Sequence, residues 1–460
     1  MIIKGGKVFQ EDGSFLEQAL YINDHRLVDK AEHQDDEKVI DAEGLLVLPG
    51  LVDIHSHGAA GEDFSDGNPE GLKKILQYEK RCGITSYCPT SMTFPKERLR
   101  QIFASIKGAQ TEEEAKVVGI NMEGPFLDPA KKGAHVEEWI AAPDAAFVRE
   151  LNQDVDGLVR LVTLAPNMDG AEEFIKEMHE EVCISLGHTA ADYDCASRAM
   201  KLGAHHVTHL YNAMQPFGHR APGLIGAAMD DPECMVELIC DGYHIHPSAI
   251  RAAFRMFGPE RVILISDSMR ATGMENGTYE LGGQEVTVKD RKAVLKDGTL
   301  AGSATNLYGC MCKAVEFGIP LEQAIMAVTA NPARSIGIFD PRPQRLRQRA
   351  GHGGHRRDRD PLAVRQCLSR RVGDRRRDLP GGLHRRRGRL PPALRRGGWQ
   401  ARHPALPLAD LRLHGPAEED PDRLPAEDAD ARCHHRRDRL RRRGAARRAD
   451  QRSERHHHER

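Results

Sequence analysis

Five short apolar runs constrain the fold of this chain, because each one ends at, or contains, a residue with metal or acid-base chemistry. GLLVLPGLVDI precedes His55 and His57, AKVVGINM precedes Glu123, EVCISLG precedes His188, AHHVTHL contains His209, and RVILIS precedes Asp267. Runs of four to eight apolar residues bounded by glycine and polar residues read as buried strands, and intervening segments such as PEGLKKILQYEKRCG read as helices. Alternating strand and helix points to a parallel sheet, and about eight such units close into a barrel. The expected fold class is therefore α/β: a (β/α)8 TIM-like barrel with a small β-sandwich domain. Polar residues at the carboxyl ends of barrel strands converge on one mouth.

At 460 residues and 51.1 kDa the chain can hold a barrel of roughly 250 residues and a smaller domain. Residues 1–48 read as short strands (IIKGGKVF, FLEQALYIND, KVIDAEG, LLVLPG) and form the amino-terminal part of the small β domain. Residues 49–340 carry the barrel, which ends with the helical segment LEQAIMAVTANPARSIG, interrupted by Pro332. Hairpins are expected at about 271–300, where NG and DG turn signals are flanked by β-type residues.

A compositional break follows. Lysine stops at Lys313, tyrosine at Tyr308, and isoleucine and phenylalanine at Ile338 and Phe339, leaving residues 341–460 rich in Arg, Gly and Pro. That stretch lacks both apolar periods needed for a packed face, so it is expected to be disordered. Its arginine runs raise the reading of a nucleic-acid tail. Acidic residues interrupt them, however, and no aromatic platform is interleaved. The preferred reading is a shifted frame through GC-rich DNA, which supplies Arg, Gly, Ala and Pro codons while removing Lys, Ile, Phe, Tyr and Asn together. Resequencing the gene decides it: an intact frame with this tail as written defeats the idea.

The net charge of -2 and the ten scattered cysteines, without a CxxC pair, suggest a reduced, cytoplasmic protein with no nucleic-acid partner. The start MIIKGGKVF lacks an apolar signal core, and no stretch reaches the roughly 18 apolar residues of a membrane span.

In a strand, residues i and i+2 share a face, so His55 and His57 can both enter the mouth. Imidazole and carboxylate suit a divalent ion, zinc first, with iron or manganese as alternatives. Each residue also has a plainer reading: hydrogen-bonded strand histidines for the pair, a salt bridge for Glu123, a helix N-cap for Asp267. Histidines 205 and 206 read as helix-end or packing residues. A bound ion would bring the pKa of water from 15.7 to about 7, and Asp267 would act as general base and then general acid. No nucleophile elbow or Walker loop is present.

The ordered set PGLVDIHSHG, NMEGPFL, GAH, GHTAADY, THLYNAM, DGYHIHP, ISDSMRATG and LAGSA resembles the N-acetylglucosamine-6-phosphate deacetylase family of the amidohydrolase superfamily, from Met1 to about Asp340. The resemblance implies hydrolysis of the acetamido group of a 6-phosphorylated amino sugar, in amino-sugar catabolism or cell-wall sugar recycling. It implies Glu123, His188 and His209 as shared metal ligands, with His55 and His57 as in members that hold a second ion, so one or two ions are expected. Glu123 stands where related amidohydrolases use a carbamylated lysine. Asp267 corresponds to the acid/base, and His135 to a residue that holds substrate and polarises its carbonyl; a surface-loop histidine is its alternative. Ala134, Asn212, the backbone of Ala213, Arg220, His244, Leu300, Ala301 and Gly302 are implied as substrate contacts. Arg220, whose planar fork suits phosphate, would reach the neighbouring subunit's site and so imply a homodimer; a solvated loop arginine is the plainer reading. Two rivals stay open: an amidohydrolase acting on a cyclic amide or N-acyl amino acid, and an inactive frameshifted product.

Overall fold

The computed structural model describes residues 1–23, 26–30, 38–109 and 113–339. The expectations for residues 341–460 lie outside the described residues. Eight parallel strands form the barrel: β1 (Leu51–Ser56), β2 (Ile84–Ser91), β3 (Ile120–Glu123), β4 (Val159–Leu164), β5 (Cys183–Leu186), β6 (His206–Val207), β7 (Met235–Ile239) and β8 (Val262–Ile265). Each strand pairs with the next in chain order. The ring closes at its carboxyl-terminal mouth, where the Asp267 N–H donates to the His55 carbonyl at 2.9 Å and the His57 N–H to the Ser268 carbonyl at 2.8 Å.

Both faces of these strands are buried, which is why the sequence shows continuous apolar runs rather than alternation. Along β8, Val262 and Leu264 join the core shared with the helices, while Ile263 and Ile265 join Val52, Ile54, Cys88, Leu161 and Ile239 in a separate cluster. The period of two sorts them into the outer layer and the barrel interior.

The first helix, α1 (Pro69–Arg81), starts as its sequence suggests: the Asn68 side chain accepts from the Glu70 N–H, and Pro69 occupies the first turn. Its buried stripe is Leu72, Ile75, Leu76 and Glu79, at helical spacing. Each of the three aliphatic residues contributes about 1.5–3 kcal/mol by leaving water. The closing segment differs from expectation. LEQAIMAVTANPARSIG forms two helices, Leu321–Val328 and Ala330–Ser335, that break at Thr329 (φ -131°, ψ -84°) rather than at Pro332. Pro332 falls in the first turn of the second helix, where a missing N–H removes no helical bond.

Two small sheets precede the barrel. One orders Arg26–Val28, Leu20–Asn23, Ile2–Lys4 and Val39–Asp41; the other orders Phe15–Glu17, Lys7–Phe9 and Leu46–Val47. Ile3, Val8, Ile22, Ala42 and Val47 form their shared core. After β8 an antiparallel unit follows, Gly277–Leu281, Gln284–Lys289 and Lys292–Leu295. Its two internal turns are Gly282-Gly283 and Asp290-Arg291, all four residues at positive φ. A third, at the DG pair read from sequence, Asp297-Gly298, returns the chain so that the Leu295 N–H donates to the Thr299 carbonyl at 2.8 Å; the NG pair makes no hairpin turn. Gly277 instead opens the first strand.

No described helix is long and apolar enough to cross a membrane, and the eight described cysteines are free thiols.

Glu79 is the exception in the buried stripe of α1. It is 0 % exposed, and neither carboxylate oxygen has a hydrogen-bond partner among the described residues. Burial, reinforced by the Asp53 carboxylate, pushes its pKa well above the ordinary 4.5. The folded state therefore holds this proton more tightly than the unfolded chain. The associated stability is fully present below the unfolded pKa and is lost as pH rises toward the folded one. We expect Glu79→Gln to raise the thermal midpoint by a few degrees at pH 8, with the advantage shrinking toward pH 4.5. Equal midpoints at both pH values would reject this.

Candidate metal centre

Three candidate residues, His188, His209 and Asp267, stand two residues beyond strands β5, β6 and β8, with φ of 45°, 28° and 46°. A left-handed residue ends the extended backbone and redirects its side chain. For a non-glycine residue it costs on the order of 1–3 kcal/mol, so it persists only where surrounding structure enforces it. His55 lies within β1, His57 follows it directly, and Glu123 is the last residue of β3. The next residue, Gly124 (φ 88°), has no room for a Cβ, which would sit 2.1 Å from the Thr93 hydroxyl.

These strand ends converge on Glu123. Its Oε1 lies 2.9 Å from His209 Nε2 and 3.1 Å from His188 Nε2. Its Oε2 lies 3.2 Å from His57 Nε2, 3.4 Å from His55 Nε2 and 3.6 Å from His135 Nε2. Asp267 Oδ1 is 3.2 Å from His57 Nε2 and 3.6 Å from His55 Nε2. All seven side chains are buried. Among the described residues no lysine or arginine pairs with Glu123, so the salt-bridge reading does not apply. Asp267 caps no helix, and His135 is interior rather than on a surface loop.

The outer nitrogens reveal what the inner ones present. His55 Nδ1 donates to Glu237 Oε2 at 3.0 Å, His57 Nδ1 to the Thr90 carbonyl at 3.2 Å, and His188 Nδ1 to the Lys131 carbonyl at 2.9 Å. Those oxygens can only accept, so Nδ1 keeps its proton, and each Nε2 offers an inward lone pair once the ring is neutral. His55 Nε2 has no hydrogen-bond partner, and the Nε2 atoms of His188 and His209 stand 3.0 Å apart. Lone pairs and carboxylate oxygens crowd together in this way around a cation. The donor set fits a divalent metal with nitrogen and oxygen ligands.

His135 is set the other way. The Thr93 N–H donates to its Nδ1 at 3.2 Å, so Nε2 carries the proton and points inward as a donor. Burial holds its pKa down, to about 4, so it is neutral at pH 7. Burial also opposes charge on His57, but Asp267 and Glu123 outweigh it and push the pKa up to about 10 in the metal-free site. His55 is likewise raised against burial, by Glu123 and Glu237. Burial would raise Glu123 and Asp267, yet the adjacent histidines hold both below the usual carboxylate range.

The other expected contacts are spread around the mouth. His244 Nδ1 pairs with Asp241 Oδ2 at 2.7 Å, and its ring feels the charge of Asp267. The Asn212 amide donates to the His209 carbonyl at 3.2 Å, while the Ala213 carbonyl accepts from the Thr189 N–H. Ala134 and Ala301 are buried, Leu300 is half-buried, and Gly302 (φ 64°) runs so close that a Cβ would lie 3.1 Å from the Asp267 carbonyl. Arg220 is exposed, and the structure does not bring it to the cluster. His206 is interior, bonded to Ser185 Oγ at 2.8 Å, and His205 pairs with Asp231 at 2.7 Å.

Sequence reading missed Glu237, Asp241, Thr90 and Thr93. Glu237 had a signal, a charge inside the apolar run MVELI. The Thr90 and Lys131 carbonyls had none, because backbone atoms carry no residue code.

The amidohydrolase family profile matches residues 46–341. The chain belongs to the amidohydrolase family. This amidohydrolase is similar to N-acetylglucosamine-6-phosphate deacetylase of Bacillus subtilis (strain 168), 41% identical over 302 residues that cover 64% of this chain and 76% of the relative. It is also similar to N-acetylgalactosamine-6-phosphate deacetylase of Escherichia coli O157:H7, 35% identical over 307 residues, 65% of this chain and 80% of the relative. A solved variant of N-acetyl-D-glucosamine-6-phosphate deacetylase from Mycobacterium smegmatis, in complex with N-acetyl-D-glucosamine-6-phosphate, superposes with a TM-score of 0.68 at 32% identity, covering 73% of this chain and 90% of that one.

Protonated His57 and a metal compete for one lone pair. Its pKa of about 10 means that binding near pH 7 must expel a proton. We expect the apparent zinc affinity of the metal-free amidohydrolase to rise from pH 6 to pH 8. Titration calorimetry in two buffers of different ionisation enthalpy should show net proton release, and no release would contradict the assignment of His57.

Proposed function

We propose that this amidohydrolase cleaves the acetamido group of N-acetyl-D-glucosamine 6-phosphate, yielding D-glucosamine 6-phosphate and acetate. The observation that carries the reading is the buried Glu123 carboxylate, one oxygen toward His188 and His209 and the other toward His55 and His57. Similarity to deacetylases of 6-phosphorylated amino sugars supplies the substrate class.

The division of Glu123 between two histidine pairs supports two ions, zinc first and iron or manganese as alternatives. When bound, the metal supplies Lewis acidity toward the amide carbonyl and lowers the pKa of water toward about 7. The neutral His135 offers its Nε2–H to the carbonyl oxygen, where negative charge develops as the tetrahedral intermediate forms. Asp267, ionised at neutral pH, takes the proton of the attacking water and passes it to the departing amine. His244, Asn212, the Ala213 backbone and Arg220 are assigned to the phosphate, and Ala134, Leu300, Ala301 and Gly302 to the sugar.

Arg220 on an exposed loop favours a role across a subunit contact, and hence a homodimer. Free thiols are compatible with a reducing, cytoplasmic setting.

Acetate release from N-acetylglucosamine with and without its 6-phosphate tests the substrate, and the galactosamine epimer belongs in the same assay because of the Escherichia coli relative. Equal rates without phosphate would favour an acyl-amino-acid or cyclic-amide hydrolase. Asp267→Asn should lower kcat about 10²–10⁴-fold while KM stays within a few-fold. Near-normal turnover by the metal-loaded variant would remove Asp267 from the proton path.

A further inference from the structure

We propose that Glu237 is a positioning residue that fixes the ring of His55 and thereby controls binding of the ion on the His55–His57 side of Glu123. The inference rests on the two-ion reading above. Glu237 projects from β7 into the barrel interior and is 0 % exposed. Its Oε2 accepts from His55 Nδ1 at 3.0 Å and from the backbone N–H of His209 at 3.2 Å. One oxygen thus anchors a residue from each flank of Glu123.

Apart from the His55 ring, the described residues bring no positive charge within hydrogen-bond distance of this carboxylate. Its Oε1 has no hydrogen-bond partner, and the nearest cationic candidate on that side, His206 Nε2, is 3.9 Å away. Among the described residues no lysine or arginine pairs with it. A carboxylate is costly to bury unless positive charge compensates it. An ion on His55 Nε2 supplies that charge through the ring, the carboxylate–histidine–metal arrangement that orients a ligand and raises its basicity.

The two flanks depend on Glu237 unequally. His188 has its own anchor in the Lys131 carbonyl, and His57 in the Thr90 carbonyl. His209 touches Glu237 only through its backbone, at a position already held by its neighbours in the chain. For His55 the side-chain bond to Glu237 alone keeps the proton on Nδ1. Without it the proton can occupy Nε2, which faces Glu123 and Asp267 and would then be lost as a metal donor.

The test measures metal per chain, and zinc titration of the metal-free protein, for the full-length wild type, Glu237→Leu and Glu237→Gln. We expect two equivalents in the wild type and one in Glu237→Leu, the remaining ion bound with near wild-type affinity. Glu237→Gln, whose amide oxygen can still accept from Nδ1, should bind two with only the weaker site impaired, about 10–100-fold. Two ions at wild-type affinity in Glu237→Leu, or equal loss at both sites, would overturn the positioning role. If Glu237→Leu does not fold, unchanged affinities in Glu237→Gln overturn it instead. A wild type that binds only one ion rejects the two-ion reading itself, and the inference with it.

Discussion

The arrangement of this protein depends on one electrostatic constraint: Glu123 is buried among imidazole lone pairs. A carboxylate at a strand end inside an apolar barrel is costly unless positive charge lies within a few ångströms. His55, His57, His188 and His209 all direct Nε2 at it, and three of them use Nδ1 to hold a neighbouring oxygen. Without a metal, protons fill the gap, which is why His57 becomes so basic. With a metal, the same geometry becomes a ligand set, and the protons leave.

The barrel meets this constraint by ending its strands abruptly. A parallel strand that continued in extended conformation would carry alternate side chains past the mouth. Left-handed residues at His188, His209 and Asp267 stop that progression and aim their side chains inward. Their conformational cost is offset by neighbouring contacts, such as the bond from Asp267 N–H to the His55 carbonyl, which also closes the ring between β8 and β1. Closure of the fold and placement of Asp267 beside His57 are thus one interaction.

The sequence disclosed the barrel because strands buried on both faces must be apolar throughout, and because each run terminated in a residue too polar to be there by packing alone. It disclosed His55, His57, Glu123, His188, His209 and Asp267 for the same reason. The antiparallel unit after β8 was legible as hairpins, and so was its last turn at Asp297-Gly298, but the two turns between its strands were not. Arg291 adopts φ 64° in a two-residue loop that composition does not advertise, whereas the visible NG pair starts a strand. Thr329 breaks the last helical segment although Pro332 looked like the interruption. Arg220 was read as a site residue, yet the structure leaves it on an exposed loop.

By itself, then, the order of residues determined which chemical groups stand at the strand ends and that the strands would be parallel and buried, since both follow from local apolar patterning. Only the tertiary structure decided that Glu123 shares its two oxygens between separate histidine pairs, that His135 accepts at Nδ1 while His55, His57 and His188 donate there, and that Glu237 stands behind His55. Those facts depend on which atoms meet across the barrel, from residues up to 182 positions apart. Backbone carbonyls and ring orientations, which no residue code records, set the proton positions there.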